Sequence, residues 1–481
     1  MKTVIKGGHI VAFDGREHRI LNDGSVVFED DKITHVGKTF SGKTDSQIDA
    51  QGKLVCPGFI DIHTHLLYEA GGRYTPDVGR TDTFGNTYFN YHLPLPGHKG
   101  YYEGETADLG GLYTALCVLK GGATTVVDSG VVVEDPDRLV DVLGGLGIRA
   151  YLGRGFRSGD TLADQQGRVI YDWNEKRGME RFRDAIEFIK KHDGKYNGRI
   201  KGMLFPSQAD TCSEKLLRDT KAAAAELGIQ IQIHTAQNGR EFKEILWRTR
   251  KTPVEFLASV GLLGPEVSLA HCLFVTGHSW AAYPFGDDLK IIADSGASVA
   301  HCPIVFARRG LAMESFHRYL KAGINMSIGT DSYPNDILDE MRIAYLACKL
   351  TEKSFAVCTC GDIFNAATLG GANFLGREDL GRISVGAKAD FTVVNLTQIH
   401  FGPIRDPIKA LITMGTGKDV DTVIVDGRTL VQGGRVMGVD EDKVLGDIQR
   451  SAEKSWARAP EVNWDGRSLD EVAPQTFKPW V

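Results

Sequence analysis

The sequence predicts an α/β fold in which a (β/α)8 TIM barrel carries a small β-sandwich domain formed from both termini. Three observations support this. Strand-like and helix-like segments alternate through the middle of the chain, both ends are rich in strands and turns, and polar side chains end most of the central strands. We expect residues 1–56 and 381–481 to form the sandwich and a C-terminal tail, and residues 57–380 to form the barrel.

The composition excludes several classes of protein. At 481 residues, with 42% hydrophobic and 25% charged residues, the chain can bury a large core. A formal net charge of -6 gives no electrostatic footprint for nucleic acid. No stretch approaches the roughly 18 apolar residues of a membrane span, and the N-terminus lacks the apolar core of a signal peptide. The 8 cysteines are scattered, so we expect a cytoplasmic protein with reduced thiols. The expected partner is a small-molecule substrate, with no nucleic acid and no membrane.

The terminal segments share one pattern. Apolar and polar residues alternate between Gly and Asp breaks in residues 3–12, 23–28 and 32–37, which predicts a small antiparallel sheet. The pattern returns near residues 389–395 and 422–428. We therefore expect one sandwich built from both ends of the chain.

The middle of the chain supplies eight strands, the number that a (β/α)8 barrel needs. Between them lie helical segments such as residues 214–228, which end on Gly228, a typical C-cap residue. The first strand belongs to Pro57-Gly-Phe-Ile-Asp-Ile-His-Thr-His65. The other seven are residues 124–128, 149–153, 200–205, 229–234, 267–271, 297–301 and 325–331.

Histidines and an aspartate follow these strands at the ends where a barrel builds its active site. His63 and His65 are two residues apart, so on a strand they point to the same face. Neutral imidazole is a common metal ligand, and five histidines with one aspartate at five strand ends predict a metal site. The set is His63 and His65 on strand 1, His234 on strand 5, His271 on strand 6, His301 on strand 7 and Asp331 on strand 8.

These motifs together resemble the metal-dependent amidohydrolase superfamily. The opening Pro-Gly-Phe-Ile-Asp-Ile-His-Thr-His, the later His234 and His271, Gly329-Thr-Asp331 and the closing residues 381–390 carry the resemblance. With Ala300-His-Cys-Pro303, they are similar to the branch that holds the triazine hydrolases and the guanine and adenosylhomocysteine deaminases.

The resemblance implies a role for each matching residue. His63, His65, His234 and Asp331 would bind one divalent metal, most simply Zn2+, with Fe2+, Co2+ or Mn2+ as alternatives. Such an ion would supply an activated water at neutral pH. Asp331 would accept the proton of that water and deliver it to the leaving nitrogen, and His271 would polarise the group under attack.

Two departures bear on the reaction. Binuclear relatives carry a lysine at the end of strand 4, whereas Lys201 stands near its beginning, so one metal is expected. Deaminases of this branch read His-x-x-Glu after strand 5, whereas this chain reads His234-Thr-Ala-Gln237. Glutamine donates a hydrogen bond but cannot shuttle a proton to a ring nitrogen.

On this ground the sequence favours hydrolysis of an acyclic amide, urea or carbamate bond, with a resemblance to phenylurea and molinate hydrolases. The alternative is hydrolytic deamination of a purine, pterin or triazine. A third alternative, from another class, is a non-catalytic barrel that serves as a binding or assembly module.

The remaining candidates concern the substrate and assembly. Gln237 and His301 are expected to contact substrate, and Arg154 and Arg157 would grip an anionic group or form surface ion pairs. Residues 66–110 are rich in aromatics, which predicts a pocket wall that includes Tyr91 and His92 or, alternatively, a subunit contact. A homo-oligomer is therefore expected.

Overall fold

The computed structural model describes residues 1–67, 73, 107–131, 135–166, 168–462 and 465–480. Tyr91, His92 and nearly all of the aromatic segment expected to wall the pocket lie outside these residues. In the part of the chain described, no helix combines the length and apolar character needed to cross a membrane.

Twenty-three strands are present in the described residues. They are β1 Lys2–Lys6, β2 His9–Phe13, β3 His18–Asn22, β4 Ser25–Glu29, β5 Lys32–Gly37, β6 Ser46–Asp49, β7 Lys53–Pro57, β8 Phe59–Thr64, β9 Ala123–Asp128, β10 Arg149–Leu152, β11 Gly155–Phe156, β12 Gly159–Ala163, β13 Val169–Trp173, β14 Ile200–Gly202, β15 Phe205–Pro206, β16 Ile231–Thr235, β17 Val267–His271, β18 Ser298–His301, β19 Met326–Ile328, β20 Phe391–Asn395, β21 Val420–Val425, β22 Arg428–Gln432 and β23 Arg435–Val436.

Helices follow most of the central strands, and side chains and glycines define their ends. Ser213 accepts a hydrogen bond from the Leu216 amide at the start of one helix, and Gly228 ends it in the left-handed conformation, as predicted. The α-helices are Ala107–Lys120, Pro136–Leu146, Glu175–His192, Lys195–Gly198, Glu214–Leu227, Gly239–Thr249, Pro253–Ser259, Asp288–Ser295, Pro303–Ala307, Phe316–Lys321, Ile337–Glu352, Cys360–Asn365, Gly371–Phe374, Pro407–Met414, Glu441–Ala457, Ala459–Val462 and Leu469–Val472.

Eight parallel strands form the centre of the molecule. They lie in two four-stranded sheets, with the orders β14-β10-β9-β8 and β16-β17-β18-β19. Isolated parallel bridges join the outer strands of the two sheets at both seams, Thr64 with Asp331 and Leu204 with Ile231. The eight strands thus follow one another in cyclic order, and their carboxyl ends lie at one end of the molecule.

A strand-rich unit packs beside these strands. One sheet, β5-β4-β1-β6, comes from the N-terminal segment alone, and a seven-stranded sheet, β23-β22-β21-β20-β7-β2-β3, takes strands from both ends of the chain. A separate apolar cluster lies between the sheets, in which the Phe28 and Phe391 rings are 5.5 Å apart. The expected contribution of both termini is observed.

The structure corrects three details. The N-terminal strands do not form one antiparallel sheet: they divide between two sheets, and each sheet contains one parallel pair, β1 with β6 and β2 with β7. Alternation predicts a strand but not the direction of its neighbour. The predicted strand 200–205 divides into β14 and β15, and the predicted strand 325–331 ends at Ile328, because Gly329 begins the turn to Asp331.

A buried ionic cluster joins β10 to the C-terminal strands. The guanidinium of Arg149, 1% exposed, lies 3.2 Å from Asp390 and 2.6 Å from Asp426. Asp426 also lies 3.2 Å from Lys388 and 3.7 Å from Arg199. Arg149 begins its strand, so this cluster is at the opposite end of the parallel strands from the polar residues discussed next.

Candidate metal centre

Five side chains from four parallel strands converge at the carboxyl ends of those strands. They form two overlapping groups, His63 with His234 and His271, and His63 with His65 and Asp331, whose nitrogen and oxygen atoms lie within 4.8 Å of one another. Carboxylate oxygens of Asp331 are 3.4 Å from His271 Nε2 and 3.9 Å from Nε2 of both His63 and His65. The structure thus brings together all four predicted ligands and adds His271 to the cluster.

Three of the imidazoles have one nitrogen turned away from the cluster. Nδ1 of His63 lies 2.7 Å from Gln232 Oε1, Nδ1 of His234 lies 2.5 Å from the Ser207 carbonyl, and Nδ1 of His65 lies 3.1 Å from Ser129 Oγ. A carbonyl oxygen only accepts, so the first two Nδ1 atoms must donate. This leaves the Nε2 lone pairs of His63 and His234 directed to the cluster.

The inward atoms fit a divalent cation. Nε2 of His63 and Nε2 of His271 are buried and have no hydrogen-bond partner among the described residues, and Nε2 of His65 faces Nε2 of His234 at 3.3 Å. Burial holds the pKa of His63 and His271 well below the ordinary value and lowers that of His65 to about 3. Neutral imidazoles beside a carboxylate are the donor set that zinc prefers, and buried donors without partners are costly unless a ligand satisfies them.

The strand ends reach this geometry through unusual backbone conformations. His271 and Asp331 have positive φ values of 74° and 56°, which non-glycine residues adopt at a cost of about 1–2 kcal/mol. Gly329 lies so close to β8 that a Cβ atom on Gly329 would be 2.7 Å from the His63 carbonyl oxygen. Local strain of this kind concentrates at functional sites.

Asp61 supports the Asp331 turn from below. Its carboxylate accepts hydrogen bonds from the Thr330 amide at 2.9 Å and the Thr330 hydroxyl at 2.6 Å. The Asn335 amide donates to the hydroxyls of Thr330 and Thr64, both at 3.2 Å. This buried network fixes the loop that carries Asp331.

Gln237 is buried, 3% exposed, in the turn after β16. The backbone N–H groups of Ala236 and Gln237 donate to the carboxylate of Glu241, each at 2.8 Å, and Gln208 Nε2 donates to the same carboxylate at 3.1 Å. Glu241 is the nearest glutamate along the chain to Gln237. With three donors on its oxygens, Glu241 holds this turn in place.

The other predicted residues have different surroundings. His301 is buried at the end of β18, where its ring centroid lies 5.6 Å from that of Phe316. Nε of Arg157 lies 2.6 Å from Asp160 Oδ1. Arg157 thus forms an ion pair, which was the alternative to gripping an anionic substrate group. Arg154 is half-buried and pairs with Val131 through its backbone. Substrate contacts by these residues stay predictions.

Sequence reasoning missed two buried residues that form hydrogen bonds next to the predicted ligands. Gln232 precedes His234 by two positions, and Asp61 precedes His63 by two positions. Residues spaced by two share a face of a strand. That spacing was the available signal, although it could not identify the hydrogen-bond partners.

Comparison with known proteins gives the family context. A sequence model of the Amidohydrolase family matches residues 54–430. The chain is 29% identical over 459 residues to a 5'-deoxyadenosine deaminase of Methanosarcina mazei, covering 95% of this chain and 98% of that protein. It is 29% identical over 463 residues to a 5-methylthioadenosine/S-adenosylhomocysteine deaminase of Desulforudis audaxviator, covering 94% and 99%.

Solved structures share the fold. A triazine hydrolase variant aligns with a TM-score of 0.77 at 22% identity, covering 94% of this chain and 99% of that one. An adenosine deaminase from Xanthomonas campestris with bound zinc aligns with a TM-score of 0.76 at 20% identity, covering 94% and 98%. At these identities the likeness concerns the fold.

Proposed function

The chain belongs to the amidohydrolase family, a family of metal-dependent hydrolases of carbon–nitrogen bonds, and on that premise we propose that it hydrolytically deaminates a nitrogen heterocycle. The observation that carries this choice is similarity along almost the whole chain to deaminases of adenosine derivatives. It reverses the preference that Gln237 gave to acyclic amides. The triazine hydrolases that share the fold are also named for a nitrogen heterocycle.

We assign His63, His65, His234 and Asp331 as ligands of one divalent ion. Zinc is favoured because neutral imidazoles and a carboxylate are its usual donors, with Fe2+, Co2+ and Mn2+ as alternatives. Lys201 pairs with Asp193 at 3.5 Å and its side chain is 37% exposed, which supports a centre with a single metal. When bound, the ion would supply a water acidic enough to attack at neutral pH.

The protein groups then perform the proton transfers. Asp331 would take a proton from the attacking water and return it to the amino group, which leaves as ammonia. The second proton of that water would move from the new hydroxyl to the ring nitrogen through solvent, so that the ring carbon becomes a carbonyl. The imidazole of His271 is buried and lies 3.4 Å from Asp331. It would polarise the group under attack and stabilise the charge that develops there. Gln237 would donate a hydrogen bond to a ring nitrogen.

Hydrolysis of an acyclic amide, urea or carbamate is the second candidate, and Gln237 is the observation that favours it. Ring deamination needs a proton on the ring nitrogen as aromaticity is lost, and an amide side chain cannot supply it. An acyclic carbonyl requires no such proton. The absence of an acid at this position therefore predicts slow deamination rather than none.

The deciding experiment compares substrates and variants together. Zinc-loaded native protein, Gln237→Glu and Gln237→Met are assayed for ammonia release from adenosine derivatives and for amine release from aryl amides and ureas. We expect native deamination of a heterocycle, a faster rate with Gln237→Glu because an acid is restored, and a slower rate with Gln237→Met, which has similar volume but no donor.

Each other result contradicts the proposal. Turnover of acyclic substrates alone would establish the second candidate. Absence of all turnover together with less than about half a metal per chain would favour a non-catalytic binding or assembly module.

The wider organisation follows from the same family context. We propose that the cyclic order of the eight strands is that of a (β/α)8 barrel spanning residues 57–380, flanked by sandwich segments 1–56 and 381–481. We also retain the expectation of a cytoplasmic homo-oligomer that acts on a small molecule.

A further inference from the structure

Gln232 lies on β16, and its side chain forms hydrogen bonds with residues of β8. It is 1% exposed, and its Oε1 lies 2.7 Å from His63 Nδ1. Its Nε2 lies 2.8 Å from the Ile62 carbonyl oxygen and 3.4 Å from Ser268 Oγ. One buried amide thus contacts both the side chain of His63 and the backbone of the preceding residue.

The hydrogen-bond partners determine which way this amide faces. The Ile62 carbonyl can only accept, so the NH2 group must face it and the oxygen must face His63. Nδ1 of His63 must then carry the proton. The lone pair of His63 is consequently on Nε2, a buried atom that has no hydrogen-bond partner in the described part of the chain and lies 3.9 Å from Asp331 Oδ2.

We propose that Gln232 is a positioning residue that fixes the tautomer and ring orientation of His63 and thereby sets the metal affinity of the centre. The inference rests on the metal centre of the proposed function but not on the substrate. Outer partners of this kind typically affect metal affinity by about 10- to 100-fold.

Zinc affinity provides the test. Apo protein, prepared by dialysis against a chelator, is titrated with Zn2+ in competition with a chromophoric chelator, and the Co2+-substituted proteins are compared by visible absorption. Gln232→Met removes the acceptor at nearly constant volume. We expect its zinc affinity to fall about 10- to 100-fold and its Co2+ spectrum to change.

Two further variants keep the interpretation firm. Gln230→Met is the matched control, because the one hydrogen bond of the Gln230 side chain to a described residue goes to the Leu375 carbonyl at 3.1 Å and not to a proposed ligand. Gln232→Glu keeps an acceptor for His63, so it should bind zinc more tightly than Gln232→Met. Unchanged zinc affinity in Gln232→Met, or a loss in Gln232→Glu as large as that in Gln232→Met, would overturn the inference.

The same titrations separate this inference from the proposed function. Failure of native protein to bind zinc would refute the metal centre itself. If Gln232→Met does not fold, Gln232→Glu alone decides, since retained affinity supports the positioning role and a tenfold loss refutes it.

Arg308 supports a second and independent inference. Its guanidinium carbon lies 3.9 Å from the centre of the Tyr333 ring, and Nη2 donates to Ser332 Oγ at 3.3 Å. Ser332 and Tyr333 directly follow Asp331. Nη1 of Arg308 is buried, and no acceptor for it is found among the residues that the structure describes.

Arg308 is therefore a half-buried cation whose charge is not neutralised at close range. Burial lowers its pKa, and the carboxylates of Asp331 and Glu340 act on it only from a distance. Among the described residues no carboxylate oxygen lies within ion-pair distance of it. Uncompensated buried charge is destabilising, and it is tolerated best where a ligand supplies the opposite charge.

We infer that Arg308 forms an anion subsite beside the metal centre and that the substrate carries a carboxylate or phosphate. A guanidinium offers a planar pair of donors suited to either group. The inference deepens the proposed function by naming a chemical feature of the substrate.

The test uses two adenosine derivatives that differ only in a carboxylate. We expect native protein to prefer the anionic compound at least tenfold in kcat/KM, and Arg308→Met to lose most of that preference through a higher KM. Arg308→Lys should recover part of it, and Arg309→Met, the neighbouring control, should keep it. Equal kcat/KM values in native protein, or an unchanged ratio in Arg308→Met, would refute the subsite.

If neither nucleoside reacts, the deaminase proposal fails. The same comparison is then made with an aryl amide with and without a carboxylate. A preference that Arg308→Met removes supports the anion subsite, and no preference refutes it.

Discussion

Replacing Arg149 by methionine should destabilise the protein without affecting the metal centre. Arg149 is the only cation within ion-pair distance of Asp390 among the described residues, whereas Asp426 keeps Lys388 at 3.2 Å and Arg199 at 3.7 Å. The substitution therefore leaves one buried carboxylate unpaired. Breaking a buried pair in this way costs about 3 to 5 kcal/mol.

The expected size of the effect can be expressed as a melting temperature. With about 2.1 cal/mol/K of unfolding entropy per residue and 481 residues, the loss corresponds to a fall in Tm of about 3 to 5 °C. Calorimetry or circular dichroism measures this fall. Zinc content should stay as in native protein, because Arg149 begins β10 and so lies at the end of the parallel strands opposite to the proposed metal centre. Arg183→Met, at an exposed position, is the control and should change stability by about 0.5 kcal/mol or less.

The pH dependence and a double variant test the physical reason. Burial raises the pKa of Asp390, and removal of Arg149 should raise it further, so the deficit of Arg149→Met should shrink in acid as Asp390 takes up a proton. Arg149→Met with Asp390→Leu should recover part of the stability, although the Asp426 amide then loses its acceptor at 2.8 Å. A single variant as stable as native protein at pH 7 would refute the reasoning.

Three further predictions concern the site, pH and assembly. Alanine at His63, His234 or Asp331 should abolish turnover, and elemental analysis should show that the first two variants lose zinc. His271→Ala should keep zinc and lower the rate about 100- to 1000-fold. Full activity of His271→Ala would refute the role of His271. Burial lowers the pKa of His18 to about 4, so between pH 6.5 and 4 the unfolded chain takes up a proton that the folded protein does not. About 3 kcal/mol of stability should therefore be lost as pH falls through this range. Unfolding measured at several pH values should show a smaller loss in acid for His18→Gln than for native protein. Light scattering at micromolar concentration should give a dimer or larger, and a monomer would remove the oligomer prediction.

The sequence by itself determined the type of fold and the positions that carry chemistry. Alternation of strands and helices predicted the parallel core, and His63, His65, His234 and Asp331 were identifiable because each stands at the end of an apolar run. These signals are local. The side-chain period of a strand and the position of its end can be read from neighbouring residues, whatever lies next to them in space.

Only the tertiary structure decided which atoms meet. Gln232 is 169 residues from His63 along the chain, and Arg149 is 241 residues from Asp390. Contacts between such distant residues depend on strand order, register and crossing direction, none of which alternation encodes. The same holds for His271, whose place in the cluster follows from a backbone turn with positive φ. The identity of the proposed ligands is thus a local property of this sequence, whereas their tautomers, partners and mutual distances arise from packing between distant segments.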